Sequence, residues 1–265
     1  MALSFCSFAS GSSGNSYLIK GDQASLLLDC GIAGRDVANG LLACGVEPQD
    51  VAGIFITHEH TDHIKSLKTV TRMTGAPCYS TPGTLGAVKD RILTRGIEVA
   101  RYGAEIQIGD VTVRSFPLAH DAMEPVGFSF TGSGKRVSVI TDTGCVTEAI
   151  YETAVESDLL VLEANHERNV LLMGRYPYRL KMRILGDHGH ISNEQAAQFI
   201  ARILKNRKNP EPPTIALAHL SQENNTPEMA YLTVRNILFD EGFYEKKDYW
   251  MTVLTRNERS RLITI

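Results

Sequence analysis

Apolar residues in the first sixty positions come in short blocks and alternations, with small polar residues between them. LSFCSF, SYLIK and SLLLDCG predict strands, separated by the turn-rich GSSGN and GDQA. GRDVANGLLACG changes the period: Val37, Leu41 and Leu42 fall on one side of a helix that Gly45 stops. GIFIT, residues 53 to 57, is a continuous apolar run of strand length, and from Asp62 the spacing of Ile64, Leu67 and Val70 is helical again until Gly75. A further helix follows CYS, with Thr81 as N-cap, Pro82 at its first position and Leu85, Val88 and Ile92 along one face.

The second half repeats the alternation. EIQI and VTVRSF flank a Gly109-Asp110 turn, and GFSFT and RVSVITD flank Gly132-Ser133-Gly134. LLVLEAN, 159 to 165, reads as a buried strand followed by an irregular, basic crossover. Ser192 and Gln195 form a capping box for a helix carrying Ala196, Phe199, Ile200, Ile203 and Leu204. TIALAHL is a strand, Thr226 and Pro227 start a helix with Ala230, Val234, Ile237 and Leu238, and WMTVLT and RLITI close the chain as strands. Strand-rich and helical segments alternate twice, so the pattern predicts an α/β sandwich of two sheets with helices outside both.

Composition narrows the class. With 265 residues, 43% hydrophobic and 22% charged, the chain is long enough for a large core and reads as ordinary globular protein, in one domain or two. A net charge of −3 argues against a generally cationic surface for non-specific nucleic-acid binding, though not against a local patch. Five cysteines without CxxC spacing read as buried thiols of a reducing compartment. The N-terminus has no basic leader and no apolar stretch approaches the ~18 residues that span a membrane. A cytoplasmic enzyme with no membrane partner is the expectation.

The chemistry concentrates in THEHTDHI, residues 57 to 64, which holds three of the eight histidines. A divalent cation needs lone pairs converging at ~2.0 to 2.2 Å, and imidazole with carboxylate suits zinc, iron or manganese. His58 and His60, two apart in extended backbone, point to one side and can grip one cation. Asp62 and His63, in the turn beyond, can address a second. The bland alternative is a solvated polar loop. The helical H-E-x-x-H pattern does not apply, because position 62 is Asp and the next histidine is 63.

THEHTDH resembles the H-x-H-x-D-H signature of the metallo-β-lactamase superfamily, and LLLDCG, FPLAHDA, VITDTG and ALAHLS supply further matches in the family's order. The resemblance spans essentially the whole chain. It implies a four-layer αββα sandwich formed by a single domain over residues 1–265. It also implies two divalent metal ions (Zn, Mn or Fe): His58, His60 and His120 on one, Asp62, His63 and His219 on the other, with Asp142 bridging. Asp29 is expected to support the site from behind.

Function follows from the same comparison. A carboxylate bridge, with Cys145 three residues beyond it, disfavours β-lactam hydrolysis. Two dications outweigh Asp62 and Asp142, so the site favours anionic substrates inside an acidic protein. Phosphodiesterase branches of the superfamily resemble LEANH and GDHGHISNEQ. By that resemblance Glu163 orients His190, which contacts the scissile phosphate, so that His190, Glu163 and Asp62 form the catalytic group around a hydroxide shared by the two metals. Substrate-side candidates are Ser13 and Asn15 in the GSSGN turn, Asn165, Arg183 in a basic segment interleaved with Tyr176 and Tyr178, and His188; His166 is a weaker one. A hairpin turn and a solvated crossover are the structural alternatives for those segments.

Six stretches, FASGSSGNSYLI, LLLDCG, THEHTDHI, LEANH, YPYRLKMRILGDHGHISNEQA and LAHLSQENNTPE, resemble the YycJ/WalJ subgroup. That implies 5′-to-3′ exonuclease action on double-stranded DNA and a link to mismatch repair. The chain has no room for the nucleic-acid-binding domain that larger relatives carry, and forming a homodimer is one way to extend its hold on DNA ends. Two other readings stay open: a hydrolase of small cyclic or nucleotide phosphodiesters, and a non-enzymatic metal-binding module in signalling.

Overall fold

The computed structural model describes residues 2–100 and 102–265. The first half builds one sheet from β1 (Ser4–Ala9), β2 (Ser16–Lys20), β3 (Ser25–Leu28), β4 (Val51–Phe55), β5 (Cys78–Ser80) and β6 (Gly96–Glu98). Its helices are α1 (Gly34–Ala43), α2 (Thr61–Ile64), α3 (Leu67–Thr74) and α4 (Pro82–Val88). The second half builds another from β7 (Glu105–Ile108), β8 (Val111–Pro117), β9 (Val126–Gly132), β10 (Lys135–Ile140), β11 (Leu159–Glu163), β12 (Thr214–Ala218) and β13 (Trp250–Val253). With it come α5 (Glu148–Ala154), α6 (Arg168–Met173), α7 (Tyr178–Leu185), α8 (Asn193–Asn206) and α9 (Pro227–Asp240).

The sheets run β14-β1-β2-β3-β4-β5-β6 and β13-β12-β11-β10-β9-β8-β7, where β14 (Ile263–Thr264) brings the chain end back to pair antiparallel with β1. Two mixed sheets with helices on their outer faces make the expected sandwich.

Alternation along the strands decides the layers. Leu26 and Leu28 join the core between the sheets with Leu159, Val161, Phe128 and Phe130, whereas Leu27 faces α1 and α3, and Leu160 and Leu162 face α8 and α9. Phe55 ties the two sheets together: its ring stacks on Tyr79 at 4.8 Å and meets Phe128 edge-on at 5.2 Å. Since Phe55 lies just before Thr57 and His58, this packing fixes where the histidine segment leaves the sheet.

Several local expectations are revised. The segment after β11 is not an irregular crossover but the two short helices α6 and α7. Leu42 is half exposed while Val37 and Leu41 are buried, so the apolar face of α1 is narrower than the sequence suggested. Thr81 sits at the N-cap of α4 but spends its hydroxyl on the Thr84 side chain and the Glu124 carbonyl rather than on a helix backbone N–H, and Ile92 lies past the helix end. Of RLITI only Ile263–Thr264 is strand, and it belongs to the first sheet. Four of the five free cysteines are buried, and Cys145 is partly so.

One close approach joins the first sheet to the histidine segment. The loops after β3 and β1 press on the start of α2: Cys30 N–H donates to the His63 carbonyl at 2.7 Å, and Asn15 N–H to the Asp62 carbonyl at 2.8 Å. Residue 31 is glycine because a Cβ there would lie 1.6 Å from the Asp62 carbonyl oxygen. Gly31→Ala therefore forces the Asp62 backbone away. We expect Tm to fall by about 3 to 10 °C, from overpacking of about 1–3 kcal/mol, with reduced metal content, read by calorimetry and elemental analysis.

Candidate metal centre

Strand ends deliver the candidate ligands. His58 and His60 follow β4, Asp62 and His63 open α2, His120 follows β8, Asp142 follows β10 and His219 follows β12. Asp29, Asp142 and His219 turn the chain with left-handed backbone, at φ of 60°, 62° and 54°. Such conformations cost roughly 1–3 kcal/mol away from glycine, and they persist where surrounding structure dictates them, often at functional sites.

These side chains meet in two sets: His58, His60 and His120, and Asp62, His63, Asp142 and His219. His60 Nδ1 and His120 Nε2 are 3.3 Å apart. In the second set His63 Nε2 lies 3.2 Å from Asp142 Oδ2 and 3.5 Å from Asp62 Oδ2, and His219 Nε2 lies 3.4 Å from Asp142 Oδ1 and 3.5 Å from Asp62 Oδ2. Tetrahedral donors on a cation with bonds of ~2.1 Å stand ~3.4 Å apart, so the spacing suits an ion. Asp142 faces both sets, because Oδ1 is also 3.7 Å from His120 Nε2.

Unsatisfied atoms give the sharper fit. His58 Nε2, Asp142 Oδ2 and His219 Nε2 are buried without a hydrogen bond, an expensive condition unless a cation takes their lone pairs. Asp142, Glu163, His190 and His219 form a third cluster of suitable size, but its atoms are already used. Glu163 Oε1 lies 2.8 Å from both His190 Nδ1 and His219 Nδ1, while Oε2 accepts the backbone N–H of Thr143 and Ile191. That cluster is a hydrogen-bond network behind the ligands, not a further cation cage.

Orientation comes from the opposite edge of each ring. Asp29 Oδ2 holds His63 Nδ1 at 2.7 Å, which leaves Nε2 with a lone pair, and Asp29 in turn accepts Thr57 N–H at 2.9 Å. Thr57 Oγ1 also lies 3.0 Å from His58 Nδ1. Glu163 does for His219 what Asp29 does for His63.

Electrostatics follow from crowding. Burial, helped by neighbouring His63, holds His58 well below the ordinary imidazole range. Burial works against a charge on His63 too, yet Asp29, Asp142 and Asp62 outweigh it and raise that group well above. His219 rises to about 10 against the same burial because Asp142, Asp62 and Glu163 surround it. Burial disfavours the Glu163 carboxylate, but His190 and His219 bring it down to about 2, and Glu163 raises His190 in return. A cation competes with protons for these same lone pairs.

The cleft above has a volume of about 250 Å³ and is lined by His60, Asp62, His120, Asp142, His190 and His219 on one side. Of the substrate-side candidates, Asn165 and Arg183 line it. Ser13 is exposed outside the lining, which takes Ser12 instead, and His188 is likewise exposed outside it. Asn15 is fully buried: its Nδ2 sits 3.1 Å from His63 Nε2 and its Oδ1 accepts Gly11 N–H at 2.9 Å. It fastens the GSSGN turn beneath the ligands rather than facing the cleft. His166 is buried with neither ring nitrogen hydrogen-bonded, and burial brings it down to about 4.

Sequence reasoning passed over Thr57, Asp121 and the apolar side of the cleft. Thr57 carried a signal, as a hydroxyl beside the histidines at a strand end. Asp121, which accepts Arg183 Nε–H at 2.6 Å, had none, because its partner lies 62 residues away.

Comparison with known proteins agrees with this geometry. A model of the Beta-lactamase superfamily domain matches residues 25–210, a span holding every candidate ligand except His219. Exodeoxyribonuclease YycJ of Bacillus anthracis is 37% identical over 246 residues, 92% of each chain. Exodeoxyribonuclease WalJ of Streptococcus pneumoniae is 35% identical over 235 residues, 87% of this chain and 86% of that one. The solved structure of YhfI, a metallo-beta-lactamase fold protein from Bacillus subtilis, superposes with a TM-score of 0.72 at 14% identity, covering 98% of this chain and 99% of that one, a likeness of fold alone. Match and near full-length identity, together with the clustered imidazoles and carboxylates, make this chain a member of the β-lactamase superfamily carrying a divalent-metal site.

Proposed function

We propose that this metal-dependent hydrolase is an exodeoxyribonuclease that cuts phosphodiesters at DNA ends, in the 5′-to-3′ direction, with two divalent cations. The observation that carries the reading is the pair of ligand sets meeting at Asp142 under a cleft where Glu163 fixes His190. The YycJ and WalJ relatives, exodeoxyribonucleases by name, support DNA as the substrate. Zinc, manganese and iron all suit the nitrogen and oxygen donors. Buried free thiols suit the cytoplasm, and among the described residues no helix is long and apolar enough to cross a membrane.

When bound, divalent cations polarise a phosphodiester and make water a nucleophile near neutral pH. The chain's own groups supply the rest. Asp62 and Asp142 set the charge of the floor. With Nδ1 held by Glu163, His190 keeps Nε2 for the cleft, where its raised proton affinity lets it steady phosphoryl charge or protonate the leaving oxygen. Arg183 meets backbone phosphate at the rim.

A second reading, hydrolysis of small cyclic or nucleotide phosphodiesters, draws on the modest volume of the cleft. Metal analysis coupled to digestion of end-labelled duplexes, with cyclic nucleotides in parallel, decides: rapid small-diester cleavage with inert DNA would replace the nuclease reading.

His58→Ala and Asp142→Ala should each abolish hydrolysis, and a chelator should do the same to the wild type until metal is restored. His190→Ala should keep the wild-type metal content yet lower turnover ~10²-fold or more; undiminished turnover would remove His190 from the mechanism. Asp29→Asn should weaken metal affinity ~10- to 100-fold, measured by competition with a chromophoric chelator.

A further inference from the structure

Part of the lining of the cleft is apolar. Tyr176, Leu180 and Ile184 line it together with Arg183. Leu180 and Ile184 stand one turn apart on α7, and Tyr176 precedes the helix by two residues. The basic segment is thereby divided, since Tyr178 and Met173 are 76% and 88% exposed and take no part in the lining.

This wall is anchored at both ends. Lys181 Nζ donates to the carbonyls of Leu172 and Gly174, both at 2.7 Å, which ties α7 to the end of α6 and holds the connection carrying Tyr176. At the other end the Ile184 carbonyl accepts the backbone N–H of His190 at 2.9 Å. The wall and His190 therefore keep a fixed relation. Arg183 is steered by Asp121, whose other oxygen lies 3.5 Å from His120 Nε2.

A cleft whose lining combines the cations' ligands with an aromatic-aliphatic stretch matches a nucleotide, anionic at one end and flat and apolar at the other. Its volume of about 250 Å³ lies just under the ~300–1,000 Å³ usual for small-ligand pockets, the scale of one nucleotide rather than of a base pair. Resting on the nuclease reading, we propose that this wall is a subsite for a single unpaired terminal nucleotide. Tyr176 stacks on the base, Leu180 and Ile184 pack against its edge, and Arg183 takes an adjoining phosphate while the scissile diester lies over the ligands. A duplex end must then open by one nucleotide before it is cut, and opening is easiest where the terminal pair is mismatched.

The test uses metal-loaded protein and 5′-phosphorylated duplexes that differ only in a matched or mismatched terminal pair, under single-turnover conditions. The mismatched end should be cut ~10-fold faster or more. Tyr176→Ala should lower kcat/KM ~10-fold with unchanged metal content, and Tyr176→Phe, which retains the ring, should recover most of that loss. Equal rates on both ends, or a Tyr176→Ala protein as fast as wild type, would overturn the subsite while leaving the nuclease reading in place. No cleavage of any DNA would remove both.

Discussion

Asp62, Asp142, His58, His63, His120 and His219 gather where water is largely excluded, and that burial of ionisable groups is the constraint on which the structure depends. A core does not tolerate such a gathering without compensation, because unpaired buried charge costs several kcal/mol per group. Hydrogen bonds satisfy only part of it. His58 Nε2, Asp142 Oδ2 and His219 Nε2 remain without a hydrogen bond. A divalent cation is the charge that settles them, so metal affinity and fold stability are linked properties of this chain.

The sandwich is the device that forces the crowd together. Three of the groups involved, Asp29, Asp142 and His219, turn at strand ends in left-handed backbone. Cores on both sides of each sheet hold those ends in register, with Phe55 clamping the sheets a few residues before the histidine segment. Glu163 and Asp29 then solve the same problem twice. Each is a fully buried carboxylate that accepts backbone N–H and fixes the far edge of a ring, so ligand orientation is set before any ion arrives.

Much of this was legible in the sequence, for a physical reason. Alternating apolar positions such as Leu26 to Leu28 and Leu159 to Leu162 encode which face of a strand is buried, and the candidate ligands stand at the strand ends, where that pattern stops. THEHTDH and the isolated Asp142 and His219 could therefore be placed in advance. What escaped were relations set by tertiary contact. Nothing local says that Asn15 lies under His63 while Ser12 faces the cleft, or that Asp121 steers Arg183. The stretch from Arg168 to Leu185 read as irregular because its charged and aromatic residues follow no burial face; in α7 no residue is fully buried. Leu171 is the one buried residue of α6, and Lys181 ties α7 to that helix's end.

That same segment bears on how an acidic protein could hold DNA. Of its cations, Lys181 is tied to α6 carbonyls and Arg183 gives Asp121 only its Nε–H, and among the described residues Arg168, Arg175 and Arg179 make no ion pair. Non-specific affinity for a duplex grows with the number of phosphates neutralised, and each such contact steepens the salt dependence. Only Arg183 of these lines the cleft, so the rim itself adds little grip on the body of a duplex. On the proposed reading, affinity has to come from what enters the cleft: a phosphodiester over the ligands and a base against Tyr176. Such a division favours ends over internal sites, because a terminal nucleotide is stacked on one side only, whereas an internal one has to be extruded from between two neighbours.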